Sequence, residues 1–360
     1  MSFDKQSKVF NWLDERFELK PLIEFGRKKT VPLHKYTFFY YLGGITMVLF
    51  VVMVFTGILL LLYYQPGTEN SYESVRLIMT KVKFGWLFRS IHHWTANLMI
   101  FFAVLHMMSV FFTKAYRKPR ELTWITGFVL LGLALGLGFS GYLLPWDELA
   151  FFATKVGTDI AAAVPFVGET MKEFLRSGPD VTGATLTRFY GFHVALLPAI
   201  FTILLVFHLA FVQRQGMHAP GWYYRLPASE QKQIPFFPNF ILRDVLVWLI
   251  VINVILYLAV FWPSSMGIKA DAFVPAPEGI RPEWYYMFMF QTLKVLPAHI
   301  IGIEGETVGV LFFAAAALLW MLVPFWEIKR KPESRFRPMT LIGVVGLIYV
   351  VTMTAWGYLD

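Results

Sequence analysis

Four histidines sit inside apolar runs of this chain, where ionisable side chains are rare and mostly functional. His92 and His106 lie on IHHWTANLMIFFAVLHMMSVFFT (91–113), fourteen positions apart. Fourteen helical residues rise ~21 Å and stop about 40° short of four turns, so both imidazoles leave one face at two depths. His193 and His208 lie on FYGFHVALLPAIFTILLVFHLAFV (189–212), fifteen apart. That step rises about 22.5 Å and overshoots four turns by about 60°. Neutral imidazole is a good axial ligand for six-coordinate haem iron. Two facing helices with matched pairs can therefore clamp two flat iron macrocycles, one above the other. A single such histidine is as well read as an interhelical hydrogen-bonding group; four in two matched pairs point to ligation. His93 falls about 140° from His106 and is read as an interfacial polar residue. His34, His218 and His299 lie in loops or at helix ends and are assigned no chemistry.

The elements that must hold these residues are membrane spans. The 360 residues are 57% hydrophobic and only 16% charged, against roughly one-quarter charged in soluble domains. Six or seven stretches are long enough for a hydrocarbon layer of ~30 Å, placed near 38–64, 91–113, 123–144, 189–212, 242–262, 307–326 and 340–358. The expectation is an all-α polytopic transmembrane bundle of about seven spans, a four-helix diheme bundle plus three C-terminal helices. Its parts are an N-terminal amphipathic segment (1–37), the diheme unit (38–213), a proline-rich linker (214–241) and the three-helix unit (242–360). Within the first part, 8–25 reads as one short surface helix. PWDELAFFATKVGTDI and VPFVGETMKEFLRSG read as short interfacial helices in the long connection 145–188, and Pro198 as a kink in the fourth span.

The formal charge of +8 is better explained by topology than by nucleic acid. With alternating loops, 21 Lys and Arg fall on the side of the N-terminus and 11 on the other, while Asp and Glu divide 10 to 14. By the positive-inside rule the N-terminus is cytoplasmic, in a bacterial-type cytoplasmic membrane. The first twenty residues show no cleavable signal. Absence of cysteine excludes disulfides, thiolate metal sites, iron–sulfur ligation and thioether-linked haem within this chain. On this topology His92 and His193 share the outer depth, and His106 and His208 the inner one.

Gly43 and Gly57 on the first span, and Gly127 and Gly141 on the third, repeat the fourteen-residue step. Any one glycine suits close helix packing; two pairs at the histidine period suggest room for rings at the two histidine depths. Arg89 and Arg188 precede the outer histidines, as propionate partners or as headgroup anchors. Glu283 lies in an aromatic, proline-bounded stretch where shielding could raise its pKa and suit it to proton transfer.

The motifs FGWLFRSIHHW, YRKPRELTWITG, GYLLPWDELAFFATKV, TLTRFYGFH and PEWY (282–285) together resemble the cytochrome b family of quinol-oxidising bc and b6f complexes over essentially the whole chain. The fifteen-residue second pair and the PWD after the third span look most like the b6 type, with its usually separate C-terminal partner fused. The resemblance implies a low-potential outer haem b on His92 and His193, and a high-potential inner haem b on His106 and His208. It implies haem-facing Gly43, Gly57, Gly127 and Gly141. It implies an outer quinol-oxidation pocket of Tyr142, Pro145, Trp146, Pro282, Glu283, Trp284 and Tyr285, with Glu283 accepting a proton. An inner quinone-reduction site would involve Arg214, Arg243 and Asp244. Implied partners are a Rieske iron–sulfur protein, a cytochrome c-type subunit, the quinone pool, lipids and a second copy of the complex.

Two departures stand out. The b6 type carries a covalent haem on a cysteine where Tyr41 stands, so no covalent haem is expected. The mitochondrial type has a histidine where Gln213 stands. Two other readings use intramembrane histidines: a diheme anchor of a hydrogenase or formate dehydrogenase, and a proton-coupled transporter. The first needs neither PEWY nor GYLLPWD; the second usually shows broken helices and inverted repeats, which are not seen.

Overall fold

The structure is a computed structural model that describes residues 8–327 and 338–360. The basic loop after Glu327 and the first seven residues lie outside the described residues. Among the described residues six helices are long and apolar enough to cross a membrane: Thr37–Leu61, Gly85–Thr113, Glu121–Tyr142, Gly183–Gln215, Phe236–Phe261 and Pro338–Leu359. The remaining expected span, 307–326, is shorter. It runs over Gly305–Met321, 17 residues, or about 25 Å of helix, and Val323–Trp326 extends it beyond a break at Leu322.

The amino-terminal segment forms two helices, α1 (Lys8–Phe17) and α2 (Leu19–Lys28), where one was expected over 8–25. Glu18 breaks them with φ 48°, a left-handed conformation unfavourable for a residue with a Cβ. Asp14 stabilises the corner by accepting from the Lys20 amide at 2.8 Å and pairing with the Lys20 ammonium at 2.9 Å. Strand β1 (Thr30–Pro32) then pairs antiparallel with β2 (Gln233–Pro235). This ties the segment ahead of the first span to the one ahead of the fifth. The end of the bundle carrying these elements is called the amino face below.

Helix α3 (Tyr41–Leu61) packs on α5 (Gly85–Thr113), and α6 (Glu121–Tyr142) on α10 (Leu197–Gln215). Short α4 (Ser71–Thr80), α7 (Glu148–Ala162), α8 (Gly168–Arg176) and α9 (Gly183–Gly191) cover the opposite face. Both interfacial helices expected in 145–188 are present, and Asp147 caps α7 by accepting from the Ala150 amide at 2.9 Å. Where a Pro198 kink was expected, the helix widens into a π-turn over Phe192–Leu196, with the Leu197 amide reaching back to Phe192 O. Proline has no N–H and crowds the carbonyl four residues back; the wider turn absorbs both. His193 sits on that turn.

Helix α11 (Ile241–Phe261) buries Val251, Ile255 and Ala259, a stripe at four-residue spacing, against α3 and α5. Its Leu249, Ile250 and Tyr257 stay exposed, as a lipid-facing surface should. Phe50 stacks on Phe201 at 4.4 Å in the middle of the bundle, beside buried Leu49, Met99 and Ile100. The stretch between the expected spans 242–262 and 307–326 contains α12 (Trp284–Val295), a helix not read from the sequence. It packs on α15 (Pro338–Leu359) and on α13 (Gly305–Met321). At the amino face Arg117 grips Glu327 through two bonds of 2.7 Å, and the Trp124 indole donates to Met321 O at 3.0 Å. These contacts join the first four spans to the last ones.

Candidate functional site

The four membrane histidines come together as two pairs. His92 and His106 are on α5; His193 and His208 are on the π-turn and α10. The His92 and His193 rings face each other with centroids 6.3 Å apart. About 6 Å is what two metal–imidazole bonds of about 2.0 Å and the half-widths of two rings require.

Hydrogen bonds fix which nitrogen is free. Thr56 donates its hydroxyl proton to Val52 O at 2.7 Å, so towards His92 Nδ1, 2.9 Å away, it accepts. Thr126 likewise donates to Leu122 O at 2.8 Å and faces His208 Nδ1 at 3.0 Å. His193 Nδ1 lies 3.0 Å from Leu137 O, which can only accept, and 3.3 Å from Ser140 Oγ. Each of these rings therefore carries its proton on Nδ1 and keeps a bare lone pair on Nε2, the tautomer that binds metal. Among the described residues His106 Nδ1 is buried without a partner.

Each glycine of the fourteen-residue pattern seats one imidazole. A Cβ at Gly43 would lie 3.2 Å from His106 Cε1, at Gly57 3.4 Å from His92 Cε1, and at Gly127 3.0 Å from His208 Cε1. At Gly141 it would lie 2.5 Å from His193 Cε1. The glycines thus lie against the ligand rings on the neighbouring helix. A further regularity was not read from the sequence: the residue ahead of the glycine is Thr56, Thr126 or Ser140 in three cases and Leu42 in the fourth. The three hydroxyls face Nδ1 atoms, and Leu42 precedes Gly43, the glycine against His106, whose Nδ1 has none among the described residues. These residues fit haem: paired neutral imidazoles, three oriented tautomers, and a cradle that a methyl would crowd most at Gly141 and Gly127.

On the opposite face, the segment after α6 is strapped to the loop ahead of α12. Glu148 N donates to Ile268 O at 2.8 Å and Ala270 N to Trp146 O at 3.0 Å. Trp146, with φ 54°, turns its indole into a buried cluster with Leu143 and Phe151, so it builds the wall of this region. Pro145 leads into that turn, half-buried. Pro282 and Glu283 precede α12. The Trp284 indole donates to Asn97 Oδ1 at 2.9 Å, and the Tyr285 hydroxyl lies so close to Gly138 that a Cβ there would be 2.6 Å from it. Tyr142 and Tyr358 are within electrostatic reach of Glu283, whose carboxyl is pushed above its ordinary value by burial. Arg89 donates to Ser264 O at 2.8 Å and Ser265 O at 3.1 Å; Arg188 donates to Phe174 O and lies over the Phe174 ring.

At the amino face a cavity of about 640 Å³ runs from His106, His208, Gly43 and Gly127 to a polar end. Asp244 lines it, with Oδ1 buried and, among the described residues, without a hydrogen-bond partner. Arg214 and Arg243, expected beside it, are exposed and lie outside the cavity wall. At that end of α10 Gln213 and Arg214 are both exposed but only Gln213 lines the cavity, and Leu242 and Arg243 are exposed at the start of α11. Tyr41, at the b6 cysteine position, stacks on Phe240 at 4.9 Å.

The family described as cytochrome b/b6/petB matches residues 27–216, and that described as cytochrome b (C-terminal)/b6/petD matches 269–359. A cytochrome bc complex cytochrome b subunit of Chlorobaculum thiosulfatiphilum is 44% identical over 351 residues, 97% of this chain and 81% of that protein. Cytochrome b6 of Synechococcus sp. (strain JA-3-3Ab) is 42% identical over 214 residues, 59% of this chain and 99% of that protein. A solved structure described as a hyperthermophilic respiratory Complex III superposes with a TM-score of 0.86 at 28% identity, covering 97% of this chain and 91% of that one.

Proposed function

The chain belongs to the cytochrome b family, and on that footing we propose that it is the diheme, quinol-handling membrane subunit of a Rieske/cytochrome b complex. Family membership carries haem b binding and an integral membrane location. The observation supporting the finer reading is the set of imidazoles paired at two depths, three of them with Nδ1–H engaged and Nε2 bare. In this reading His92 and His193 hold the outer haem, and His106 and His208 the inner one. The N-terminus is cytoplasmic, so the amino face is the inner face. Residues 38–213 form the haem unit and 242–360 complete the outer quinol site.

Bound haem supplies a one-electron carrier at each depth, which lets charge cross the bilayer. Quinol binds by the outer PEWY and PWD segments and gives up two electrons and two protons. Glu283, as carboxylate, takes a proton from it; burial makes this carboxyl a stronger base than an ordinary glutamate. Asn97 holds the Trp284 indole and so fixes the first turn of α12 beside Glu283. One electron leaves to the iron–sulfur partner, and the other enters this chain. Quinone takes up electrons and protons at the inner cavity beside Asp244.

A hydrogenase or formate dehydrogenase anchor and a transporter are not favoured, since the relatives match both halves of the chain. The test is single-turnover spectroscopy of the native complex. With quinol present and the inner site blocked, an oxidant of the iron–sulfur partner must drive reduction of b haem. Haem that stays oxidised under those conditions contradicts the reading.

A further inference from the structure

The polar end of the amino-face cavity is walled by three loops, and it contains an imidazole to which the sequence pattern gave no role. His218 lies just past α10 and lines the cavity together with His34, Tyr40, Arg120 and Asp244. Its position is held by a chain of hydrogen bonds whose direction can be assigned donor by donor. The Tyr36 amide donates to His34 Nδ1 at 3.1 Å, so the His34 proton is on Nε2. His34 Nε2 lies 2.7 Å from Tyr40 Oη. The Tyr40 hydroxyl gives its one proton to His218 O at 2.9 Å, so from His34 it accepts. Every proton in the chain has one place, and its last link is the backbone of His218.

The surroundings keep the links rigid. Tyr40, Trp222 and Tyr223 meet the His34 ring edge-on, with centroids at 5.4, 6.0 and 5.8 Å. The β1–β2 pairing carries the 30–40 segment to this place. The His218 ring lies 5.7 Å from that of Tyr224. Burial and the nearby Arg120 and Arg117 charges press its pKa down to about 4, leaving a neutral ring with one N–H to donate. Gln213 also lines the cavity, but it is the more exposed of the two, and its carbonyl accepts from Lys29.

We infer that His218 donates a hydrogen bond to a carbonyl oxygen of the quinone in the inner cavity, and that Tyr40 and His34 are the positioning residues that hold it there. This rests on the cavity being the quinone-reducing site. The hydrogen bond supports the oxygen on which negative charge grows as quinone is reduced, and Asp244 marks the other polar wall. The ligand class is a para-quinone with two carbonyls, one at the His218 end.

The test uses the purified native complex with the outer site blocked, measuring reoxidation of b haem by added quinone. In parallel, infrared difference spectra are recorded with carbonyl-labelled quinone. His218→Leu should slow reoxidation by about tenfold to a hundredfold, the range for a lost hydrogen bond to a group gaining charge. It should also shift the labelled carbonyl band to the unbonded frequency, with haem content unchanged. His218→Gln, which keeps an N–H donor, should restore most of the band shift. Tyr40→Phe should raise the quinone KM several-fold with a smaller change in kcat, and broaden the band. Unchanged band and rate in His218→Leu overturn the inference, as does an altered haem content or potential with quinone binding intact, which would assign the ring to haem carboxylates. Failure of the wild-type complex to be reoxidised through this route overturns the inner-site reading itself.

Discussion

Gly141→Ala is the most informative single substitution, because the structure sets its size in advance. The added Cβ would lie 2.5, 2.9 and 3.1 Å from Cε1, Nδ1 and Nε2 of His193, so the whole imidazole edge must retreat. It cannot do so freely: Nδ1 is anchored to Leu137 O at 3.0 Å and the backbone is the π-turn ahead of Pro198. Overpacking of this kind costs about 1–3 kcal/mol, or roughly a fivefold to 150-fold loss of affinity for whatever the ring ligates. Gly57→Ala makes the same chemical change on the partner side, but its Cβ meets His92 Cε1 at 3.4 Å, an ordinary contact. Gly132→Ala meets nothing within 4 Å. The assay is haem retention per chain, with transfer to an apoprotein acceptor giving the rate of loss, and a redox titration to show which haem leaves. Gly141→Ala should shed the outer haem selectively, Gly57→Ala should shed little, and Gly132→Ala should match wild type. Equal retention by Gly141→Ala and Gly132→Ala refutes the argument that these glycines exist to seat the ligand rings.

Other substitutions probe the same framework. Thr56→Val removes the acceptor of the His92 Nδ1 proton; a less electron-rich imidazole favours reduced iron, so the outer haem potential should rise while the inner one holds. Leu42→Thr should lower the inner potential by giving His106 an acceptor, and no movement in either titration contradicts the reading. Burial raises the Glu283 carboxyl, so its base form grows in only as pH climbs through that raised value. Quinol oxidation should rise along this acid limb, and Glu283→Gln should flatten it and slow turnover about 10²–10⁴-fold; an unchanged limb excludes Glu283 as acceptor. Burial alone would raise Glu327, yet the Arg117 fork outweighs it and holds the carboxyl below its ordinary value. A depressed carboxyl contributes stability that is present above its unfolded value of about 4.3 and lost as pH falls through the lower folded one. Arg117→Ala should therefore cost about 1–2 kcal/mol at neutral pH and little in acid, read by thermal unfolding of the solubilised complex; equal loss at both pH values contradicts the ion pair as the cause.

The histidine framework was legible because it is periodic. Histidine steps of fourteen and fifteen, and glycine steps of fourteen, convert directly into depth and face on a straight helix. The role of the glycines was half legible: their level could be read, but not that each lies against an imidazole, since that depends on which helices pair. The hydroxyl ahead of three of them was there to be found at the same period. Helix α12 was missed because WYYMFMFQTLKV carries no cap and no clear stripe; packing on α13 and α15 makes it a helix. The amino-face pocket was the least legible part. Its polar end assembles from segments near 34, 120 and 218 that only β pairing and helix ends bring together, so Arg214, Arg243 and Asp244 came from the family resemblance alone while His34, Tyr40 and His218 went unassigned.

The central claim is ligation of two irons by four histidines paired across α5 and α10. Low-temperature paramagnetic resonance of the purified complex, wild type and with each histidine changed to alanine in turn, measures this directly. The account predicts two low-spin bis-imidazole centres per chain, one lost in both His92→Ala and His193→Ala, the other in both His106→Ala and His208→Ala. A single centre, a non-histidine axial ligand, or loss of the same centre in His92→Ala and His106→Ala would contradict it.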